Sequence, residues 1–189
     1  MSQGKKSPAI MTAQDVALSH GYRVVIEPAQ KFRAEQLQEI LEMWRRKSAG
    51  RSMPKRTDIA MRDIARWVRN IAFVEILVCK NPFRYRYMPR FMGDAIVEVR
   101  SDLAGKFIDE DSSRSYREVI SALYDEARLL KIPLRYYGPV PHERYSFRRS
   151  ETIIAPLSED GIVPNMLVVA NYTMDANATE SKMKGSQRV

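Results

Sequence analysis

The order of apolar segments between residues 71 and 173 constrains the fold of this chain more than any other feature. Two strands come first, separated by the turn Lys80-Asn-Pro82, and three more strands come last. A long amphipathic helix lies between the two groups, with short helical segments before it. The predicted strands cover residues 71–79, 83–88, 133–139, 144–157 and 162–173, and the predicted helices cover residues 91–99 and 113–130. The pattern predicts an α+β fold, a small antiparallel sheet with helices inserted between its second and third strands.

Two of these segments have a clear periodicity. The helix at residues 113–130 carries one continuous apolar stripe, formed by Tyr116, Val119, Ile120, Leu123, Tyr124, Ala127 and Leu130. In the strand at residues 83–88 aromatic and basic residues alternate, which places Phe83, Tyr85 and Tyr87 on one face and Arg84 and Arg86 on the other. The stripe and the aromatic face are therefore expected to pack on each other.

The region before the sheet is divided into two parts. Residues 1–30 are a poorly patterned N-terminal arm with one short strand predicted at residues 22–26. Residues 31–70 are a basic helical extension, whose helix at residues 31–48 carries an apolar stripe formed by Leu37, Ile40, Leu41 and Trp44. Either its own sheet or the same helix of a second subunit must cover this stripe, and we expect a homodimer formed through this helix. The core then spans residues 71–174, and residues 175–189 are predicted to be a disordered tail.

Positive charge is concentrated in the first third of the chain. The net charge is +8, yet residues 1–70 hold 14 Lys and Arg against 7 Asp and Glu, whereas residues 71–189 hold 17 against 16. An anion, in nucleic acid or a nucleotide, is therefore expected to bind only within residues 45–69. The candidate anion-binding side chains are Arg45, Arg46, Arg51, Lys55 and Arg56. The alternative is a solvated surface, which we favour because no helix-turn-helix or RNA-binding motif accompanies the charge.

Composition indicates a cytoplasmic protein. The longest apolar run, residues 71–79, contains Glu75 and is too short to cross a bilayer. The first lysines are not followed by an apolar run, so we expect no secretory signal. A single cysteine, Cys79, fits a reducing compartment.

Three motifs, taken together, resemble a known family. They are Phe83-Arg-Tyr-Arg-Tyr87, Val99-Arg-Ser-Asp-Leu-Ala-Gly-Lys-Phe-Ile-Asp109 and Glu151-Thr-Ile-Ile-Ala-Pro-Leu-Ser158. With Trp44 and Met53-Pro-Lys-Arg-Thr-Asp58 before them, they resemble a subfamily of bacterial PAS domains, over roughly residues 35–173. The resemblance implies a PAS-like five-stranded antiparallel sheet with helices on one face and an N-terminal helical extension. It also implies a small ligand cavity between the sheet and the helices, and dimerisation through flanking helices.

Aromatic and apolar residues of the core are the candidates for lining that cavity. They are Tyr85, Tyr87, Met92, Ile96, Phe107, Tyr116, Ile120, Tyr145 and Phe147. Their alternative role is ordinary core packing, which is the more common role of such residues. Buried tyrosine hydroxyls would give such a pocket its polar anchors. Arg148 and Glu151 are expected either to anchor a ligand or to pair with each other on the exposed face.

Neither a cofactor nor a catalytic site is predicted. The only histidines are His20 in the arm and His142, which is expected to be a solvated turn residue, so we expect no haem. No zinc spacing, covalent flavin motif or phosphate-binding glycine loop is present. The adjacent acids Glu110 and Asp111 are expected to be solvated charges at a helix start.

The sequence therefore predicts a regulatory or sensory module of bacterial signalling with no catalysis of its own, which binds a small ligand or a protein partner and gives its output through a separate signalling protein. We expect neither membrane nor nucleic acid as its partner. Three alternatives remain: a nucleic-acid or nucleotide binder using residues 45–69, a small enzyme using the cavity, and a PAS-like scaffold with a filled core that serves protein interaction alone.

Overall fold

The structure is a computed structural model that describes residues 11–80, 82–99 and 102–174, without the side chains of Phe83 and Met174. The tail predicted at residues 175–189 and the start of the N-terminal arm lie outside this range. The elements in chain order are α1 (Ala13–Ser19), β1 (Val25–Pro28), α2 (Glu35–Ser48), α3 (Met61–Ile64), β2 (Ile71–Lys80), β3 (Phe83–Met92), α4 (Asp94–Val97), α5 (Arg114–Leu130), β4 (Leu134–Pro139), β5 (Arg149–Ser158) and β6 (Pro164–Met174), with 3₁₀ turns at Arg56–Asp58, Ala65–Asn70 and Ile108–Glu110.

All strands of the described residues belong to one antiparallel sheet, in the order β1-β4-β5-β6-β2-β3. The α+β class is as predicted, but the sheet has six strands and not five. The sixth is β1, which begins at Val25, three residues later than the predicted segment, and pairs with β4 through Val25 and Tyr137. It covers what would otherwise be the open edge of β4.

Helices cover both faces of the sheet, which corrects the expectation of helices on one face. Alternate residues of β2 enter two separate cores. Ala72, Val74 and Ile76 lie in the core beneath α5 and α1, whereas Ile71 and Phe73 lie in the core beneath α2 and α3. The central strands are apolar on both sides, as Ile153 and Ile154 show, so neither face can be left to solvent.

The basic extension therefore packs on the sheet. Leu37, Ile40, Leu41 and Trp44 of α2 are all buried against it. The Trp44 indole N–H also donates to the Pro156 carbonyl at 2.8 Å. Of the two ways to cover this stripe, the structure shows the one within the chain, and these side chains are not available to a second subunit.

Helix α5 follows its prediction closely. The Ser113 hydroxyl accepts the Tyr116 N–H at 3.1 Å and caps the helix start. The helix ends at Lys131, which has a left-handed backbone with φ of 57°. The buried stripe runs from Tyr116 to Ala127, but Leu130 is exposed, so the apolar face extends past the part that the sheet covers.

Two element boundaries differ from the prediction. Strand β3 continues to Met92, and the helix predicted from residue 91 begins only at Asp94. Gly93 turns the chain between them, where a Cβ atom would overlap the backbone carbonyls of Val68 and Arg69. At the other end, β5 begins at Arg149, because residues 143–148 form turns. No helix in the described ranges has the length and apolar content needed to cross a membrane.

Candidate ligand groove

The space between the sheet and α5, where a PAS-like cavity is expected, is filled by side chains. Tyr87, Ile96, Tyr116 and Ile120 are almost fully buried in this core. The cavity between α5 and the sheet has a volume of about 10 Å³ and is lined by Ile120, Leu123, Tyr124, Tyr136, Pro141, Thr152, Ile154 and Val169. That volume suits at most a single water molecule. Of the predicted pocket residues, only Ile120 lines this cavity. For Tyr87, Ile96, Tyr116 and Ile120 the core-packing alternative is therefore the correct one.

The Tyr87 hydroxyl is already bonded within the chain. It donates to Asp125 of α5 at 2.5 Å, and its ring meets Tyr124 edge to face at 5.3 Å between centroids. Burial, followed by the hydrogen bond to Asp125, raises the pKa of Tyr87 far above that of a free tyrosine. This tyrosine therefore joins β3 to α5 and does not offer a polar anchor to a ligand.

A much larger groove opens at the surface, where the start of α1, the first residues of β3 and the last two turns of α5 meet. Its volume is about 600 Å³, within the usual range for small-ligand sites. The lining residues are Met11, Thr12, Ala13, Arg84, Tyr85, Ala122, Asp125, Glu126, Arg128, Leu129 and Leu130. Leu129 is 58% exposed and Leu130 is 50% exposed, so apolar surface faces solvent here. We refer to this site as the α1–α5 groove.

Three of the four charged groups that line the α1–α5 groove are held by hydrogen bonds or ion pairs inside the protein. The Arg128 guanidinium stacks over the Tyr85 ring at 3.6 Å from its centroid and contacts Asp125 at 3.0 Å. Glu126 accepts the backbone N–H of Ala13 at 3.0 Å, which joins α5 to the first residue of α1. The walls are thus fixed by ion pairs and hydrogen bonds, while the floor is largely apolar.

The remaining predicted pocket residues are dispersed. Met92 is half-buried and packs on the core beneath α5. Phe107 lies under the Arg86 guanidinium at 3.4 Å. Tyr145 packs on the His142 ring at 4.9 Å between centroids. Phe147 is 70% exposed, so its assignment to an interior pocket is wrong.

The basic segment does not form a set of open cationic side chains. Arg45 donates to the Ala29 carbonyl at 3.2 Å, and Arg56 donates to the Ile59 carbonyl at 2.8 Å and lies over the Phe73 ring. Arg51 pairs with Asp58 and donates to the carbonyls of Lys47 and Ser48 at the end of α2. Lys55 is half-buried, and Arg46 is exposed. Three of the five candidates therefore stabilise the fold through their side chains.

Two residues expected to be solvated are buried. His142 and Asp111 are 4% and 3% exposed, and His142 Nε2 lies 3.9 Å from Asp111 Oδ1. Within the described part of the chain, neither His142 nitrogen is hydrogen-bonded to a serine, and Asp111 Oδ2 has no hydrogen-bond partner. The Ser115 hydroxyl instead bonds the Pro141 carbonyl and Glu143. These contacts join the start of α5 to the loop before β5. Among the described residues of this cluster, no nucleophile is hydrogen-bonded to a base.

Glu151 is also buried, which overturns both of its predicted roles. Its carboxylate accepts the backbone N–H groups of Arg33 and Ala34 and contacts Arg135 Nε at 2.7 Å. Arg148, its expected partner, lies over the Phe147 ring. Glu151 therefore anchors α2 to the sheet.

Most residues that line the α1–α5 groove are not among the site residues predicted from the sequence. One signal was present, because Leu129 lies outside the apolar stripe of α5 and therefore points away from the sheet. No family model, curated protein or solved structure matches this chain. Function is therefore inferred from the geometry of the chain itself.

Proposed function

We propose that this protein is a PAS-like regulatory module without catalysis of its own, which binds a small ligand or a protein partner in the α1–α5 groove. The observation that carries the proposal is the contrast between the two spaces next to α5. The interior holds about 10 Å³, whereas the groove holds about 600 Å³ and exposes leucine side chains. Apolar surface kept in contact with solvent costs free energy unless something covers it.

The strand and helix order supports the PAS-like part of the proposal. The five predicted strands, β2 to β6, lie in one antiparallel sheet, and α5 is inserted between the second and third of them. The added β1 and the helices on the second face distinguish this chain from the simplest form of that architecture. Fold alone does not assign function, so the groove carries the functional part.

Helix α1 is the element through which binding in the groove would be transmitted. It has only seven residues, and its contacts with α5 include the Ala13–Glu126 hydrogen bond at its start and the His20–Glu118 contact of 2.8 Å at its end. A short helix buries little apolar surface, so it opens at a lower free-energy cost than a long helix does. A ligand that touches both Met11 and α5 binds the docked form of α1 better than the undocked form and shifts the population towards it.

The nucleic-acid alternative has less support. It requires the side chains of residues 45–69 to meet phosphates, yet Arg45, Arg51 and Arg56 bind groups of their own chain. Binding to DNA or RNA that weakens steeply with salt would favour it over the groove.

A fragment screen by two-dimensional NMR on the full chain tests the proposal. We expect bound fragments to shift the resonances of Tyr85, Ala122 and Leu130, and the Leu129→Asp variant to lose that binding. Ile162→Asp is the matched control, because Ile162 is 63% exposed in the turn between β5 and β6, outside the groove. Fragments that bind wild type and Leu129→Asp equally, or that shift only residues outside the groove, would contradict the proposal.

A further inference from the structure

The charges lining the α1–α5 groove are not equally neutralised. The Asp125 carboxylate accepts hydrogen bonds from the Tyr87 hydroxyl and from the Arg128 guanidinium. Glu126 faces the first N–H group of α1, where a helix carries partial positive charge. Arg128 is balanced by Asp125 and covered by the Tyr85 ring. Each of these three charged groups therefore has a partner at hydrogen-bond distance.

Arg84 is different. Its side chain is 53% exposed, and its only salt bridge within the described residues is a contact of 3.7 Å with Asp109. Asp109 is itself held by Arg86, whose guanidinium reaches both carboxylate oxygens at 2.5 and 2.9 Å. One carboxylate thus lies between two arginines, and Arg86 has the better geometry. Of the two arginines that line the groove, Arg84 is the less neutralised.

We propose that the ligand of the α1–α5 groove is a small amphiphilic anion, an apolar chain or ring that carries one carboxylate. This inference rests on the proposed function and names the class of its ligand. The carboxylate would meet Arg84, whose planar guanidinium matches that group in shape and carries one positive charge. The apolar part would lie against Leu129, Leu130 and Met11, which the protein leaves exposed.

Three probes of equal chain length and different charge test the inference on the full chain. They are decanoate, decanol and decyltrimethylammonium, each titrated below its aggregation limit and followed by two-dimensional NMR. We expect decanoate to shift the groove resonances and to bind about three- to tenfold more tightly than decanol, the range for a partly exposed charged contact. The cation is expected to bind most weakly.

Two arginine variants test whether the preference for decanoate over decanol depends on Arg84. Arg84→Gln is expected to weaken decanoate binding about three- to tenfold and to leave decanol binding unchanged. Arg90→Gln is the matched control, because Arg90 lies on the same strand, is 51% exposed and pairs with Glu75 outside the groove. Its expected effect on decanoate is nil.

The outcomes separate this inference from the proposed function. Equal binding of decanoate and decanol in the groove, or no effect of Arg84→Gln, would overturn the anionic ligand and leave the groove as the binding site. If none of the three probes and none of the screened fragments shifts the groove resonances, both proposals are wrong.

Discussion

The carboxylate of Glu151 in β5 accepts the backbone N–H of Ala34 at 2.9 Å, which joins the middle of the sheet to the start of α2. Ala34 is the N-cap residue of that helix and has no side chain able to cap it. Glu151 also accepts the N–H of Arg33, so a residue 117 positions away from Ala34 binds the two backbone N–H groups just before α2. A single buried carboxylate therefore ties the start of α2 to the sheet.

Removing this carboxylate is expected to destabilise the fold strongly. Glu151→Ala leaves the backbone N–H groups of Arg33 and Ala34 without partners and deprives Arg135, which is 11% exposed, of its buried acid. We expect the free energy of unfolding in urea to fall by about 3–5 kcal/mol, as for other broken buried pairs.

Glu27→Ala is the control for this prediction. Glu27 pairs with the same Arg135 but is largely exposed, so the expected loss is below about 1 kcal/mol. Equal losses in the two variants would show that the Glu151 contacts do not hold α2 in place.

The raised pKa of Tyr87 predicts that the free energy of unfolding falls at alkaline pH. Its folded-state pKa is raised by burial above the unfolded value of 10.0. The protonated hydroxyl is therefore favoured by folding, and its contribution is fully present below pH 10 and declines as the pH rises above it. The slope from this one group reaches at most about 1.4 kcal/mol per pH unit. Tyr87→Phe is expected to cost about 1 kcal/mol at neutral pH and to flatten this alkaline decline.

Asp125→Asn separates the two causes of the raised Tyr87 pKa. It keeps a hydrogen-bond acceptor beside the hydroxyl and removes the negative charge. Since burial is the larger cause, most of the alkaline decline should persist in this variant. A Tyr87→Phe curve parallel to that of wild type in urea unfolding between pH 9 and 11 would contradict the assignment.

Within the basic segment, Arg51 and Arg46 carry the same charge but are expected to contribute differently to the stability of the fold. Arg51→Gln removes the pair with Asp58 and the bonds to the end of α2, so we expect a loss of about 1–2 kcal/mol in thermal or urea unfolding. Arg46→Gln changes an exposed side chain and should stay within about 0.5 kcal/mol of wild type.

The same two variants also address the anion-binding alternative. If the segment binds nucleic acid through its charge, both should reduce affinity by a similar factor at low salt. If the segment is structural, Arg46→Gln should change neither stability nor binding. Loss of stability in Arg46→Gln but not in Arg51→Gln would reverse our assignment of these side chains.

The parts of the fold that the sequence predicts are those with a strong local period. The stripe of α5 and the strands β2, β4 and β6 follow from spacing alone. The short elements α1 and β1 do not, because seven and four residues carry too little pattern to be distinguished from a loop. Their stability comes from long-range contacts such as the pairing of Val25 with Tyr137.

The site is less predictable than the fold, for a related reason. The α1–α5 groove combines three segments that are far apart in the chain, and Arg84 matters there because Arg86 takes most of Asp109. The tyrosines that suggested an interior pocket, such as Tyr87 and Tyr116, fill that interior. Sequence pattern identifies which residues face inward, but it does not show whether they leave a space.

The two cores also differ in their aromatic residues. Both tryptophans, Trp44 and Trp67, lie in the core beneath α2, whereas the buried tyrosines Tyr87, Tyr116, Tyr124 and Tyr136 lie in the core beneath α5. Intrinsic tryptophan fluorescence will consequently monitor one layer of this molecule only. Ligand binding in the α1–α5 groove is therefore expected to leave the tryptophan emission unchanged and to alter the tyrosine absorbance. During denaturation, different transitions in the two signals would show that the two layers unfold separately.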